Sequence, residues 1–452
     1  MNLREAVRAY YQAHRQEGVH PKLGPYRYTA PSERHPYQWL WDSGFHAVVL
    51  AHWDADAALA ELETLFRVQG DDGFVPHMVY WPRPPVVRRV PEAERIPGGD
   101  PNRLVPLTWH SPVPPYAAFE ADPRRSDAHS ALIQPPIFGT VLLRLWELLG
   151  PSERLRALWP RALALYRWIR QHRDPDGDGL VSILQSRESG LDYSPMYDPV
   201  WQHAARRTGF LADAEPTPDT LARISDRVFV EHNADRWNLL AIFRRRVFDV
   251  EDLTVNVLMA RGLWDLARVG EHLGFQEARE ARRWARAQEQ AVLQRLWHEA
   301  DQAFYSLHHP DDGEVPLRCL TVASLLPLGL PHLKDSQERA LLRALRDPAR
   351  FALPYPVPSV AAHEPAFDPE VRPPRLIWRG PTWINMNWFL ARFLAERGAR
   401  DDARRLARAS LDLVQRSGFR EYFHPLTGAG GGAFQFGWTG LVLDLQDLAA
   451  ES

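Results

Sequence analysis

Two observations predict an all-α fold for this 452-residue chain. Apolar residues, mainly Leu, Ala and Trp, recur at helical spacing through most of the sequence, with Arg and Glu between them. The alternation of apolar and polar residues that is typical of half-buried strands is scarce, with 179–183 and 303–307 as the best candidates. The predicted helices are 2–16, 44–68, 134–149, 154–172, 219–242, 252–272, 275–298, 319–329, 335–347, 382–397, 400–416 and 437–448.

Local signals support individual helices in this list. Asp42 or Ser43 can cap the helix that follows, because a short polar side chain accepts a hydrogen bond from the free backbone N–H groups. The helix at 400–416 begins with Asp401 and Asp402 and carries arginines further along, an order that suits the helix dipole. Periodicity predicts the helices but not how they assemble, since a bundle, a solenoid or a closed ring would satisfy it equally.

Two irregular stretches interrupt the helical pattern. Residues 77–133 are rich in Pro, Arg and Gly, and their aromatic residues argue against disorder. We interpret this stretch as a lid-like insertion over the functional face. The second stretch, 350–381, is rich in proline. Because the sequence shows neither an internal repeat nor a clear linker, we predict a single domain spanning 1–452, with the insertion at about 77–133.

The composition excludes several classes of protein. A net charge of −3 offers no basic surplus for a nucleic-acid backbone. No apolar run approaches the length of a membrane span, and no signal segment opens the chain, so we expect a cytoplasmic protein. Cys319 is the only cysteine, which rules out an intrachain disulfide. Arginine supplies all but two of the 54 basic residues, a bias that suits heat-tolerant proteins. The oligomeric state stays open.

Four short runs hold the residues best suited to chemistry: 37–44, 187–195, 379–388 and 421–428. Asp192 follows a Ser-Gly turn and precedes an aromatic residue and a proline, a setting that can hold a carboxyl group in a partly apolar pocket. Such a pocket raises the pKa of a carboxyl group, as a general acid near neutral pH requires. Taken alone, Asp192 could equally be a hydrogen-bonding loop residue, and Glu421 a surface carboxylate.

Together and in this order, the four runs resemble the inverting α-glycosidases of glycoside hydrolase family 63, with the trehalases as more distant cousins. The resemblance implies an (α/α)6 barrel, in which six helical hairpins close into a ring. It also implies that Asp192 is the general acid and Glu421 the general base, the two carboxyl groups that inversion requires on opposite faces of the sugar. No cofactor is expected for this reaction.

The resemblance extends to the residues that would bind the sugar. Aromatic and acidic side chains of the first run would form the platform for the sugar that is released, and the third run would form a wall of the same pocket. The amide of Gln134 would face the substrate, and the insertion would contribute to the aglycone side. Arg187 and Arg379 could brace a catalytic carboxylate or meet an anionic substrate. The expected substrate-binding residues are Tyr37, Trp39, Trp41, Asp42, His77, Tyr80, Gln134, Arg187, Arg379, Trp383 and Asn385.

Length and composition resemble the compact bacterial branch of the family, which includes mannosylglycerate hydrolases. The expected function is therefore hydrolysis of mannosylglycerate to mannose and glycerate. An α-glucosidase or a glucosylglycerate hydrolase is the alternative within the family, and a catalytically silent sugar-binding barrel is the alternative of another class. An anionic aglycone would need arginine donors. The candidates are Arg88, Arg89, Arg244, Arg245, Arg246 and Arg379.

A run of alternating carboxylates at Asp174, Asp176 and Asp178 resembles the first half of a calcium loop, with a Gly turn after it. The distal glutamate that usually completes such a loop is absent. The run predicts at most a structural calcium site, and an Asp/Gly turn between two helices is the alternative. No residues are predicted to bind a catalytic metal.

Overall fold

The computed structural model describes residues 2–81, 129–311, 313–370 and 376–450. The α-helices are α1 (Leu3–His14), α2 (Leu40–Ala51), α3 (Ala55–Phe66), α4 (Phe138–Leu149), α5 (Glu153–His172), α6 (Asp198–Thr208), α7 (Pro218–Ala234), α8 (Leu239–Arg245), α9 (Leu253–His272), α10 (Ala278–Arg295), α11 (Asp335–Arg346), α12 (Ile384–Glu396), α13 (Arg400–Ser417) and α14 (Gln446–Ala450). The 3₁₀ helices are Ser186–Ser189, Pro195–Tyr197, Val322–Gly329 and Gly437–Leu443.

The strands are short and pair antiparallel. They are β1 (Arg15–His20), β2 (Gly24–Thr29), β3 (Gln38–Trp39), β4 (Met78–Val79), β5 (Ser182–Ile183), β6 (Val250–Glu251), β7 (Trp297–His298), β8 (Ala303–Phe304), β9 (Leu307–His308), β10 (Val315–Pro316), β11 (Arg420–Phe423) and β12 (Gly430–Phe434). They form four two-stranded sheets, β1-β2, β3-β4, β7-β8 and β11-β12, and one four-stranded sheet in the order β10-β9-β6-β5.

Six helical segments close into an inner ring. In order around the ring they are α2, α4, α9, Val322–Gly329, α12 and Gly437–Leu443, and the last of them packs against α2 again. Each inner segment also packs against one outer helix: α3, α5, α10, α11, α13 and α1 respectively. Because the last pair joins helices from opposite ends of the chain, the ring closes without a free edge. This is the predicted (α/α)6 barrel.

Glycine lets two inner helices approach closely. A Cβ atom on Gly139 of α4 would lie 1.7 Å from the carbonyl oxygen of Gly262 on α9, so only glycine fits there. On the other side of the crossing, the Tyr166 hydroxyl donates to the carbonyl of Pro136 and accepts from the N–H of Gly139. These two hydrogen bonds hold Pro136, just before α4, and Gly139, in its first turn, against Tyr166 of α5.

Several predicted elements differ from the structure. The predicted helix 44–68 is two helices, because the chain turns after α2 and Asp54 then caps α3 through the N–H of Ala57. The predicted helix 219–242 divides into α7 and α8, and α7 packs on α6 as an addition to the ring. The predicted helices 319–329 and 437–448 are largely 3₁₀, the first of them around Pro327, which has no N–H to donate.

Most of the interior is one large cluster of buried apolar side chains that runs from Val7 to Leu445, with two smaller clusters besides it among the described residues. Most of the predicted insertion, 82–128, lies outside the described residues, so the single domain with a lid at 77–133 stays a prediction. Within the part of the chain that the structure describes, no helix is both long and apolar enough to cross a membrane.

Candidate active site

A cavity of about 260 Å³ opens where the N-terminal ends of several inner segments meet. Trp39, Trp383 and Phe436 are the residues that precede α2, α12 and the 3₁₀ helix Gly437–Leu443, and all three line it. The full lining consists of Pro31, His35, Trp39, Trp41, Asp42, His77, Met78, Gln134, Arg187, Gly190, Asp192, Tyr193, Ile377, Trp378, Trp383, Glu421, Phe436 and Trp438. The volume lies below the roughly 300–1,000 Å³ of pockets for drug-sized ligands, which suits a small substrate.

Most of the predicted site residues come together in this cavity. Those that line it are Trp39, Trp41, Asp42, His77, Gln134, Arg187, Asp192, Trp383 and Glu421. Tyr37, Tyr80, Arg379 and Asn385 are not in the lining. The fold therefore joins side chains from motifs that lie far apart in the sequence.

The first turn of α2 carries Trp41 and Asp42 into the cavity. The Gln134 side-chain oxygen accepts a hydrogen bond of 2.9 Å from the Trp41 N–H, so Gln134 holds the start of α2 and lines the cavity at once. Strand β3 pairs with β4, and the N–H of Leu40 donates to the carbonyl of His77 at 2.8 Å. The motif at 37–44 and the start of the insertion are therefore one structural unit.

The loop that bears Asp192 is held by a buried ion pair. The Arg173 guanidinium donates to both oxygens of Glu188, at 2.9 and 2.6 Å, and both side chains are fully buried. Glu188 also accepts the N–H groups of Ile133 and Leu184. A buried charge pair with its remaining acceptor sites filled holds a loop rigidly.

Gly190 then turns the chain toward Asp192. Its φ of +73° favours glycine, and a Cβ atom there would lie 2.3 Å from the Trp41 ring. Glycine is therefore required at position 190 for two reasons. The backbone conformation there favours glycine, and a larger side chain would not fit beside Trp41.

Glu421 is positioned by the hairpin β11-β12. Its Oε2 atom accepts the N–H of Ala433 at 2.8 Å, and its backbone carbonyl accepts the indole N–H of Trp438 at 3.0 Å. A Cβ atom on Gly432, whose φ is +66°, would lie 2.4 Å from the same Oε2. The glycine run 430–432 therefore gives the carboxylate room.

Burial raises the pKa of each of the three cavity carboxyl groups. The pKa of Asp42 rises to about 7 despite the opposing charge of His46, and the pKa of Glu421 rises to about 7 despite the hydrogen bond from Ala433. Burial raises the pKa of Asp192 to about 6, while the positive charge of Arg187 opposes the rise. The negative charge of Asp192 adds to the shifts of the other two groups. Near neutral pH the cluster therefore retains a proton that it can donate.

The aromatic wall includes two tryptophans that the sequence reasoning missed. Trp378 stacks face to face on Trp383, with ring centroids 3.6 Å apart, and Trp438 packs edge-on against Trp41. Trp378 has a φ of +64°, which is unfavourable for a bulky residue and is a form of strain that concentrates at functional sites. Trp378 directly precedes the run 379–388, so extending that motif by one residue would have found it. No sequence signal pointed to His35, Phe436 or Trp438.

Two predicted binding residues, Tyr37 and Tyr80, support the site from behind its lining. Their rings pack edge to face at 5.5 Å, in a small buried cluster with Met78 behind Trp39. Neither residue lines this cavity, so their contact with a sugar stays a prediction. Their rings meet each other because β3 and β4 pair, which leaves Trp39 to face the cavity.

Arg379 and Asn385 also lie outside the lining. Arg379 donates to both oxygens of Asp198, at 2.9 and 2.5 Å, and to the carbonyl of Tyr193. Its guanidinium therefore braces the loop that follows Asp192. Asn385 is completely buried in the first turn of α12, so the expectation that it lines the sugar pocket is not met in this cavity.

Arg187 and His77 are two further polar residues of the lining. The Arg187 guanidinium lies over the Phe229 ring at 4.9 Å and 3.7 Å from a carboxylate oxygen of Asp226. The His77 Nδ1 atom lies 2.5 Å from the Ser130 hydroxyl, and burial lowers the pKa of His77 to about 3, with the charge of Arg187 adding to the shift. His77 is consequently neutral, and Arg187 is a cation at the cavity wall.

The other candidate arginines lie elsewhere. Arg245 pairs with Glu231 and with Asp235, and neither Arg244 nor Arg246 lines this cavity. Arg88 and Arg89 lie outside the described residues.

The carboxylates predicted to hold calcium do lie together, with side-chain oxygens of Asp174, Asp176 and Asp178 within 4.8 Å of one another. Asp174 accepts the N–H groups of Gly177 and Gly179. These bonds are what an Asp/Gly turn requires, so the loop geometry fits both interpretations and the calcium site stays a prediction.

Known proteins match the chain along most of its length. Residues 35–439 match the mannosylglycerate hydrolase MGH1-like glycoside hydrolase domain. The chain is 31% identical over 437 residues to mannosylglycerate hydrolase from Thermus thermophilus, covering 91% of this chain and 94% of that protein. It is 28% identical over 447 residues to glucosylglycerate hydrolase from Mycolicibacterium hassiacum, covering 92% and 93%.

A solved structure agrees with the fold. The GH63 mannosylglycerate hydrolase from Thermus thermophilus, in complex with Tris and D-glycerate, superposes with a TM-score of 0.77 at 29% identity, covering 98% of this chain and 99% of that chain. The match to the family domain begins after α1 and ends within the last ring segment, and the four motifs fall inside it. The chain belongs to the MGH1-like glycoside hydrolases of family 63, and it is a glycosidase, as its motifs predicted.

Proposed function

We propose that this enzyme hydrolyses a small anionic α-glycoside with inversion, and that mannosylglycerate is its preferred substrate. The observation that carries the proposal is the placement of Asp192, Glu421 and Arg187 in one small cavity. The carboxyl pair supplies the acid and the base, and the guanidinium supplies a partner for a carboxylate. The names of the relatives in Thermus and Mycolicibacterium support a glycerate aglycone.

In this mechanism Asp192 protonates the glycosidic oxygen as the bond to the anomeric carbon breaks. Glu421 takes a proton from a water molecule that attacks the opposite face of the sugar, so the product is released with inverted configuration. Burial raises the pKa of Asp192 to about 6, which brings its titration closer to neutral pH than that of an exposed aspartic acid. The hydrogen bond from the Ala433 N–H and the close approach of Gly432 hold the Glu421 carboxylate in place.

In this proposal, Asp42 and the tryptophans that line the cavity bind the sugar. One Asp42 oxygen has no hydrogen-bond partner among the described residues, so a sugar hydroxyl can donate to it. The indole N–H of Trp383 is likewise unpaired in the described part of the chain. An epimer that left these groups unpaired when it bound would bind with a less favourable free energy. This difference provides a basis for sugar selectivity.

The aglycone side must attract a carboxylate although three acids line the cavity. Of the arginines considered from the sequence, Arg187 is the one that the described cavity lining includes. Its contacts with Phe229 and Asp226 hold it in place, and its planar donors suit a carboxylate. Glycerate attached to the sugar would therefore be recognised at Arg187.

The proposal is tested by turnover of mannosylglycerate, glucosylglycerate, trehalose and kojibiose by the wild type and by Arg187→Met and Arg187→Lys. We expect mannosylglycerate to be hydrolysed fastest. Arg187→Met should lower kcat/KM for the acid relative to a neutral disaccharide by about 10–150-fold, which corresponds to roughly 1.5–3 kcal/mol for a hydrogen bond to a charged group. Arg187→Lys should recover part of this ratio.

Faster turnover of a neutral disaccharide would instead assign the enzyme as an α-glucosidase. The runner-up within the family is glucosylglycerate hydrolysis, which the Mycolicibacterium relative favours. Binding without turnover of any of the four glycosides would favour the sugar-binding alternative. The configuration of the first product, followed by NMR before mutarotation, checks the inversion separately.

A further inference from the structure

A second cavity, of about 610 Å³, lies apart from the active site and shares none of its lining residues. It lies where several segments meet: the turn after α5, strands β5 and β6, helices α6 and α8, and the residues that follow β9. The proposed hydrolysis uses none of these segments. The lining comprises Pro175, Asp176, Ser182, Arg207, Leu240, Phe243, Arg244, Arg246, Asp249, Glu251, His309 and Asp311.

Three of the lining side chains direct ligand atoms to one point. A carboxylate oxygen of Asp176, a carboxylate oxygen of Glu251 and a ring nitrogen of His309 all lie within 4.8 Å of one another. The closest pair, Glu251 Oε1 and His309 Nε2, is 3.1 Å apart. Two donors that are each about 2.1 Å from a bound metal ion lie roughly 3–4 Å apart, so small side-chain rotations would complete such a site.

The burial of Glu251 distinguishes this cluster from an ordinary group of surface carboxylates. It is almost fully buried, at 1% relative exposure, and its Oε2 atom has no hydrogen-bond partner among the described residues. The other oxygen of Glu251, Oε1, faces the His309 Nε2 atom in an ion pair of 3.1 Å. Burying the Glu251 Oε2 atom without a partner is costly, and a bound cation would satisfy it.

The neighbouring carboxylates are already engaged. Asp174 accepts two backbone N–H groups of its own turn, and Asp178 accepts the N–H of Leu180 and lies 2.6 Å from the Arg295 guanidinium. Asp176 is the carboxylate of this turn that lines the cavity. These contacts favour a mixed oxygen and nitrogen site over an all-oxygen site formed by the turn alone.

We propose that Asp176, Glu251 and His309 bind a divalent first-row transition metal ion. An imidazole together with carboxylates suits Zn²⁺, Co²⁺ or Mn²⁺, whereas Ca²⁺ prefers oxygen ligands alone. The ion would tie the turn after α5 to β6 and to the chain after β9. Because β6 pairs with β5, which leads into the Asp192 loop, the ion would stabilise the frame of that loop. The site is independent of the proposed substrate.

The test is a titration of the full chain, freed of metal with a chelator, with Co²⁺, Zn²⁺, Mn²⁺ and Ca²⁺. A change in Co²⁺ absorption reports a change in the coordination of the ion when protein ligands replace water, and calorimetry gives the affinities. We expect a single Co²⁺ site with visible absorption bands and a rise in Tm with Zn²⁺ or Mn²⁺. Both His309→Gln and the exposed Asp176→Asn should weaken binding by at least about 100-fold, since even loss of an outer partner costs about 10–100-fold.

The control is His298→Gln. His298 lies 3.3 Å from Asp301 in another acid–histidine pair, and its loss should leave metal binding unchanged. Asp176→Asn keeps the experiment decisive if His309→Gln fails to fold, because Asp176 is exposed. The proposal is overturned if no divalent ion binds, if His298→Gln weakens binding as much as His309→Gln does, or if Ca²⁺ binds in a manner that Asp174→Asn abolishes and His309→Gln does not.

Discussion

Buried carboxyl groups at the two ends of the inner ring have opposite surroundings. At the end where α2 and α12 begin, Asp42 lines the cavity and one of its oxygens has no hydrogen-bond partner among the described residues. Asp444, which follows the 3₁₀ helix Gly437–Leu443 at its far end, has a completely buried side chain that is surrounded by cations. Both are acids with almost no exposed surface, so burial alone does not decide what a carboxylate does in this protein.

The difference lies in the partners. Asp444 accepts hydrogen bonds from the Arg144 guanidinium at 2.8 Å, the Trp388 indole at 2.8 Å and the His52 ring at 3.0 Å, and Arg392 lies 3.5 Å away. Burial by itself would raise its pKa, but the hydrogen bond from His52 and the charges of Arg392 and Arg144 hold the pKa of Asp444 far below its ordinary value. One end of the ring thus uses a carboxylate for stability, and the other keeps carboxyl groups available for protons and hydroxyls.

The largest expected effect is on catalysis at the cavity end. Asp192→Asn and Glu421→Gln should each lower kcat by about 10²–10⁴-fold, the usual contribution of a general acid or base. Neither should lower Tm, because each change relieves the cost of a buried carboxylate whose pKa burial has raised. Steady-state kinetics and thermal melts of the same preparations provide the comparison. Retention of near wild-type kcat by Asp192→Asn would refute its role as the acid.

At the opposite end, Asp444→Asn should reverse that pattern. Removing one partner of a buried ion-pair network leaves unpaired cations and costs about 3–5 kcal/mol of unfolding free energy. The folded fraction should keep its kcat/KM, since Asp444 does not line the cavity. Denaturant unfolding at pH 7 measures the loss. A stable but inactive variant would show that the two ends are coupled.

The two acids should also give opposite pH dependences of stability. The folded-state pKa of Asp42 is raised from 3.8 to about 7, so the folded state binds more protons, and stability falls as the pH rises from about 4 to 7. Asp42→Asn should remove this loss, so that its stability relative to wild type improves as the pH rises through this window, by a few kcal/mol at most. For Asp444 the folded pKa is lowered, so its contribution is present at neutral pH and is lost as the medium becomes acidic.

Melting curves of both variants and of wild type at several pH values measure these slopes. A stability difference between Asp42→Asn and wild type that does not change with pH would show that Asp42 is ionised in the folded protein throughout the range. The same result for Asp444→Asn would show that its network does not shift its pKa.

The smallest expected effect concerns the aromatic pair behind the cavity. Tyr80→Phe should change KM and kcat by less than about twofold, because Tyr80 packs against Tyr37 and does not line the cavity. Trp39→Ala, at the cavity wall, should impair kcat/KM much more with the same substrate. A large loss of kcat/KM in Tyr80→Phe would instead indicate that Tyr80 contacts the aglycone, as the sequence predicted.

Much of the candidate site could be predicted because the motifs are local. Asp192 needs the preceding Gly190 turn, and Glu421 needs the later glycine run, and both signals lie close in the sequence to the acid they serve. The roles of arginines could not be predicted in this way. Arg379 reaches Asp198 and Arg187 reaches the cavity, although the sequence offered the same two roles to both.

The sequence by itself determined the helical periodicity and the order of the motifs, and through the resemblance it predicted an acid and a base. These properties depend on residues a few positions apart, where spacing alone fixes a shared face or turn. Only the tertiary structure decided what depends on ring closure. Closure brings the start of α2 against Trp378 and Trp438 and joins Arg144 to Asp444 across 300 positions. The packing of distant segments also draws the three proposed metal ligands to one point. Such contacts have no period in the sequence, because they are set by how helices pack around a common core.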